Sequence, residues 1–152
     1  MTEQVDFYVL DAGDRQDKLQ YACRIIQKAY EQGLKVFVQS DDPDVNGQMD
    51  NLLWAFLPDS FIPHCICDAE EHSWQDYPVQ LGTLQSGKPL SGEQCADVVV
   101  NLADVHSDSM FSFTRIVDLV SGEQTDRIAG RNRYRNYREK GYEPRTHKLG
   151  RK

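Results

Sequence analysis

The amino-acid sequence predicts an α/β domain, a mostly parallel sheet with flanking helices. Three observations point there. From Val5 to Phe56 the apolar pattern switches from strand to helix period and back, the order that favours parallel strands joined by right-handed crossovers. Asp97-Val-Val-Val-Asn-Leu102 is a continuous apolar run, as expected of a central strand covered on both faces. The chain of 152 residues has room for one core, because two domains would leave each half marginal. One domain over residues 1–142 is therefore expected, followed by a basic C-terminal tail over 143–152.

The elements follow in order. Val5-Asp-Phe-Tyr-Val-Leu10 is rich in β-branched and aromatic residues and ends in the turn composition Asp11-Ala-Gly-Asp14, so it reads as a first strand. Leu19, Cys23, Ile26 and Tyr30, with Ala22 and Ala29 beside them, form one apolar stripe on a helix that Gly33 can end in a left-handed conformation. Leu34 to Val38 is a second strand. Asp42-Pro43 is a helix start: the aspartate caps free amides, and proline at the first helical position lacks only an N–H that has no partner there. Val45, Met49, Leu52, Leu53 and Phe56 form that helix's buried face, and Pro58 closes it. Phe61-Ile62 and Val79 to Leu81 are short strand candidates. Met110, Phe113, Val117 and Val120 recur at helical spacing, which predicts a helix there. A basic helix runs from Asp126 to about Lys140 and stops at Gly141.

No stretch approaches the roughly 18 to 20 apolar residues that cross a bilayer, and the acidic start is unlike a secretion signal. A cytoplasmic protein without a membrane contact is expected. The four cysteines, Cys23, Cys65, Cys67 and Cys95, are irregularly spaced and read as reduced thiols. Net charge is −7, but it is unevenly placed. Residues 127–152 carry ten Lys/Arg against two acids, a net of +8, while the preceding 126 carry seven against 22, a net of −15. A basic appendage sits on an acidic body.

Most sites that could carry chemistry are incomplete. A strand-helix-strand start invites a nucleotide, yet the first loop has one glycine and two carboxylates, and neither GxGxxG nor GxxxxGK[ST] occurs, so the phosphate-binding amides are missing. His64, Cys65, Cys67 and His72 have zinc-binding atoms in the wrong spacing, with no second cysteine pair. Adjacent His64 and Cys65 rarely meet as base and nucleophile. Asp41/Asp42 and Glu70/Glu71 read as solvated acidic surface. No catalytic residue, cofactor or metal is expected.

The basic helix differs. Arg127, Arg131, Tyr134 and Arg138 share one face with Arg135 adjoining, while Ile128 and Tyr137 are left to pack elsewhere. Guanidinium groups hold carboxylates or phosphates in pairs of hydrogen bonds, and tyrosine adds an apolar wall with a polar tip. The alternative is a merely solvated basic helix. Charge pattern alone leaves open whether the anion is a nucleic acid or an acidic peptide. The segment from Trp54 to His64 is unusually apolar for a helix exit; most of it is expected in the core, with Phe61 between prolines as an alternative protein anchor.

Phe7-Tyr-Val-Leu-Asp11, Gly33-Leu-Lys-Val36, Leu53-Trp54-Ala55, Asp59-Ser-Phe-Ile-Pro-His64, Phe113-Thr-Arg-Ile-Val-Asp118 and Arg131-Asn-Arg-Tyr-Arg-Asn-Tyr-Arg138 leading to Gly141 together resemble the chi subunit of bacterial DNA polymerase III. They occur in that family's order across nearly the whole chain, but residues 68–94 match nothing and receive no role. The resemblance implies a Rossmann-like fold without a nucleotide site and a non-catalytic accessory subunit serving DNA replication. It implies two partners, the psi subunit, which ties chi to the clamp loader, and the acidic C-terminal tail of single-stranded DNA-binding protein. By resemblance the tail site comprises Val120, Arg127, Arg131, Tyr134, Arg135 and Gly141. Phe61, Pro63 and His64 would lie on the psi-facing surface, which would also serve a repair helicase. Contact with DNA would then be indirect or weak. The competing reading is a direct single-stranded nucleic-acid binder using the basic terminal helix.

Overall fold

The structure, a computed structural model, describes residues 2–10, 13–40, 42–55, 63–66, 78–82, 97–103, 110–111 and 113–149. Among them the chain forms β1 (Gln4–Leu10), α1 (Arg15–Glu31), β2 (Val36–Gln39), α2 (Pro43–Ala55), β3 (His64–Ile66), β4 (Val79–Gly82), β5 (Val98–Asn101), β6 (Arg115–Val120), α3 (Gln124–Glu139) and β7 (Arg145–Leu149). The strands make one sheet in the order β3-β4-β2-β5-β6-β1-β7. Every neighbouring pair in it is parallel, so the α/β class is as expected.

Local signals act where the sequence places them. Asp14 and Asp17 form a reciprocal capping box at the start of α1, which satisfies two amides that no helical carbonyl can reach. At its end Gly33 takes φ 79°, and the amides of Gly33 and Leu34 turn back to the carbonyls of Tyr30 and Ala29, a Schellman closure. The Asp42 carboxylate accepts the Asp44 amide at 2.9 Å, capping α2 as predicted.

Alternation along the strands sends side chains to two cores. Val36, Val38, Val98, Val100, Val117 and Leu119 face α1 and α2, which bring Leu19, Cys23, Ile26, Val45 and Met49. Phe7, Phe37, Val99, Ile116 and Val120 face the other way, toward Met110, Phe113 and Tyr137 of α3. Burial pushes the Cys23 thiol up to about 12, and Cys23 forms no disulfide.

Four expectations need correction. Residues 115–120 form a strand, not a helix. Ile116 to Val120 are all buried because both faces of β6 are covered, so the period-two alternation that marks a half-exposed strand is absent and helical spacing appears by coincidence. Met110 and Phe113 lie in the preceding turn, where the Phe113 amide donates to the Met110 carbonyl at 3.1 Å. Residues 145–149, expected as a tail, add a seventh strand along β1, with Asp6 opposite Arg145 and Leu10 opposite Leu149. Ile128 does not pack away but is 48% exposed, and Trp54 is 51% exposed rather than in the core. The predicted strand at Phe61-Ile62, Phe56 of the expected buried face of α2 and the helix-closing Pro58 lie outside the described residues, and β3 begins at His64.

Candidate functional site

The basic helix is mounted on the sheet by polar groups. Arg133, central in the arginine run, faces inward: its Nε donates to both Asp118 oxygens at 3.0 and 2.9 Å, and its Nη2 to the Leu119 carbonyl at 3.3 Å. The Tyr137 hydroxyl donates to Asp118 at 2.8 Å, and the Asn101 amide approaches the same carboxylate at 3.4 Å. Asp118, Arg133 and Tyr137 are all buried. Burial disfavours the charge on Arg133, but the Asp118 carboxylate beside it more than compensates and raises its pKa. Burial, then the adjacent Asp118 charge, drive the Tyr137 hydroxyl well above the usual tyrosine range.

A close approach completes the seat. At Gly130 a Cβ would meet a Val120 methyl at 2.6 Å, so only glycine lets the backbone of α3 lie this near β6. Val120, which the resemblance assigns to the binding site, is buried directly beneath this crossing.

On the outward flank Arg131, Arg135 and Arg138 are exposed, and Tyr134 is half-buried, its ring edge-on to Phe7 at 5.4 Å. Arg127 is half-buried, and its Nη2 donates to the Leu10 carbonyl at 3.2 Å, tying the start of the helix to the end of β1. Gly141 sits at the other end with φ 98°, where its amide and that of Tyr142 return to Arg138 and Tyr137. The structure thus brings Arg127, Arg131, Tyr134 and Arg135 onto one helix. It sets Val120 beneath them and Gly141 at the far cap. Sequence reading did not separate inward Arg133 from its exposed neighbours, since all carry the same charge; its four-residue spacing to Tyr137 and three-residue spacing from Gly130 were the available signal.

The second surface is built differently. His64 is buried, with Nε2 3.1 Å from an Asp50 carboxylate oxygen, and the Trp54 ring covers it at 4.5 Å between centroids. Pro63 is half-buried beside it. His64 therefore supports the surface from within while Trp54 presents it. Phe61 lies outside the described residues.

A cleft of about 380 Å³ opens where the helix starts converge near the ends of β2 and β5, lined by Arg15, Lys18, Ser40, Asp42, Glu123 and Asp126 among others. Ligands of α/β sheets often bind at such a place, but its cations are already matched: Lys18 Nζ lies 3.2 Å from Asp126 and Arg15 3.7 Å from Asp42. Among the described residues no three His, Cys, Asp or Glu side chains gather as a metal site, and no helix is long and apolar enough to cross a membrane.

Residues 1–145 match the family model described as DNA polymerase III chi subunit, HolC. Three curated proteins named DNA polymerase III subunit chi are similar along nearly their full length. That of Pseudomonas aeruginosa is 34% identical over 97% of this chain and 98% of its own. That of Escherichia coli is 30% identical over 90% and 91%, and that of Haemophilus influenzae 26% identical over 99% and 100%.

Proposed function

Because this chain belongs to the family of DNA polymerase III chi subunits, we propose that it is a non-catalytic accessory subunit of that polymerase, acting in the cytoplasm as a link between protein partners. In this reading α3 grips the acidic C-terminal tail of single-stranded DNA-binding protein, and the surface around Phe61, Pro63 and His64 meets the psi subunit of the clamp loader. That second surface would also serve a repair helicase. No cofactor or metal takes part.

One observation carries the tail assignment. Arg131 and Arg135 are exposed beside half-buried Tyr134 on a helix whose opposite side is locked to the sheet. The planar guanidinium fork matches a carboxylate with paired hydrogen bonds, and the tyrosine flank suits an apolar or aromatic side chain of the peptide. Arg131 is the carboxylate clamp, and the stems of Arg127 and Arg135 wall the slot. Exposed charge pairing is screened, so the contact is modest in strength and weakened by salt.

The test is titration of a fluorescent acidic peptide, copied from the tail of single-stranded DNA-binding protein, with the wild-type chain and with Arg131→Ala. Saturable binding that the substitution removes, with no comparable binding of a bare oligonucleotide, is expected. Strong oligonucleotide binding with no peptide binding would overturn the assignment in favour of direct nucleic-acid recognition.

A further inference from the structure

The edge strand β7 pairs with β1, whose Phe7 carries Tyr134 of the same helix, and its alternation decides which of its cations can take part. His147 Nε2 lies 3.0 Å from Asp6, and its ring stacks on Tyr8 at 4.6 Å. Tyr8 packs with the core under α1 and α2, so His147 and Arg145 belong to that face. Thr146 and Lys148 must therefore point to the face that carries α3. The register agrees: Thr146 is opposite Phe7 and Lys148 opposite Val9, and Phe7 and Val9 belong to the core beneath α3.

These placements define a strip of surface over β1 between β7 and α3. Half-buried Val9 floors it, exposed Lys148 stands on one bank about 4.8 Å away in strand spacing, and Arg127 stands on the other, anchored to the Leu10 carbonyl next to Val9. Tyr134, seated on Phe7, closes it further along. Both banks are basic on a body that is otherwise strongly acidic. That body would repel a polyphosphate strand extending beyond this strip, whereas a short acidic peptide needs only the strip itself.

We propose that β7 is the second bank of the peptide site, with Lys148 receiving the acidic residues that precede the peptide's end while Arg131 holds its terminal carboxylate. This rests on the tail-binding reading above and extends it to a strand that the family model, ending at residue 145, scarcely reaches.

The experiment compares two fluorescent peptides, a long acidic tail and its last few residues alone, on the wild-type chain, Arg131→Ala, Lys148→Glu, Thr146→Lys and Lys28→Glu. Lys28 is exposed on α1 and controls for net charge. Lys148→Glu should weaken the long peptide roughly fivefold and the short one little, as a local exposed contact would, and Thr146→Lys should tighten the long peptide. Lys28→Glu should change neither. If Arg131→Ala abolishes binding but Lys148→Glu and Thr146→Lys leave the long peptide unchanged, β7 has no role and the tail reading stands. Equal weakening of both peptides by Lys148→Glu and by Lys28→Glu would also overturn the proposal, as a field effect. If Lys148→Glu impairs only oligonucleotide binding, β7 serves nucleic acid instead. Failure of the wild-type chain to bind either peptide would overturn the tail reading itself.

Discussion

Arg133 donates through one nitrogen to both carboxylate oxygens of Asp118, at 3.0 and 2.9 Å, with neither side chain reaching solvent. The pair joins the middle of α3 to the middle of β6, and Tyr137 and Asn101 complete the carboxylate's partners. An exposed basic helix is thus held by a buried arginine of the same run.

Removing one member strands the other. Asp118→Leu should cost about 3 to 5 kcal/mol, because an uncompensated guanidinium is left in the core. Arg133→Met combined with Asp118→Leu should cost less than Asp118→Leu alone, since no buried charge remains. Urea unfolding midpoints at equal slope measure both. A double variant less stable than the single one would contradict this account of the pair.

Gly130→Ala tests the seat of the helix. The added methyl would lie 2.6 Å from a Val120 methyl in a buried, stiff β-branched side chain, so overpacking of about 1 to 3 kcal/mol is expected. Val120→Ala in the same chain makes room and should recover part of the loss. Thermal unfolding of the two variants checks it, and additive losses would show that the close approach is not the cause.

Acid should destabilise the fold through Asp6 and Asp126. Burial raises both carboxyls, but His147, Arg115 and Gln4 around Asp6, and Lys18 with Ser121 around Asp126, outweigh it and hold both below the ordinary range. A depressed folded-state pKa means that the unfolded chain takes up protons first as pH falls. The stabilisation is complete above the unfolded value of about 4 and is lost as pH falls through the folded values. Unfolding free energy should therefore drop steeply below about pH 4, and Asp126→Asn should flatten that limb while lowering stability at pH 7. An unchanged acid limb in Asp126→Asn would remove Asp126 from the explanation.

Cys23 should resist alkylation. It is fully buried in α1 with its thiol pushed up to about 12, so almost no thiolate is present or reachable at neutral pH. Peptide mapping after iodoacetamide should show Cys23 unmodified in the native chain and modified in denaturant. Rapid native labelling would mean that α1 opens locally at low cost.

The first half of the chain was legible because its signals are local. The Asp14 and Asp42 caps, the Gly33 stop and the stripe of Leu19, Cys23 and Ile26 each act within a turn or two of themselves. The basic face of α3 was legible for the same reason, as Arg131, Tyr134 and Arg135 are spaced by the helix alone. Strand β6 was not, because burial on both faces erases the alternation from which a strand is read. Strand β7 was not, because Arg145, Thr146, His147 and Lys148 are polar and form a strand only through pairing with β1, some 140 residues earlier in the chain.

By itself the sequence determined the α/β class, the separation of acidic body from basic terminus, the family likeness and the helix that bears the exposed arginines. Tertiary structure alone decided that Arg133 turns inward to Asp118 while Arg131 stays exposed, that Gly130 lets α3 lie against Val120, and that β7 stands beside β1 with Lys148 on the face of α3. The physical reason is that charge and periodicity are properties of a residue and its near neighbours. Which side of a helix meets a buried carboxylate, and which edge a polar strand can join, depend on groups brought together only when the sheet forms.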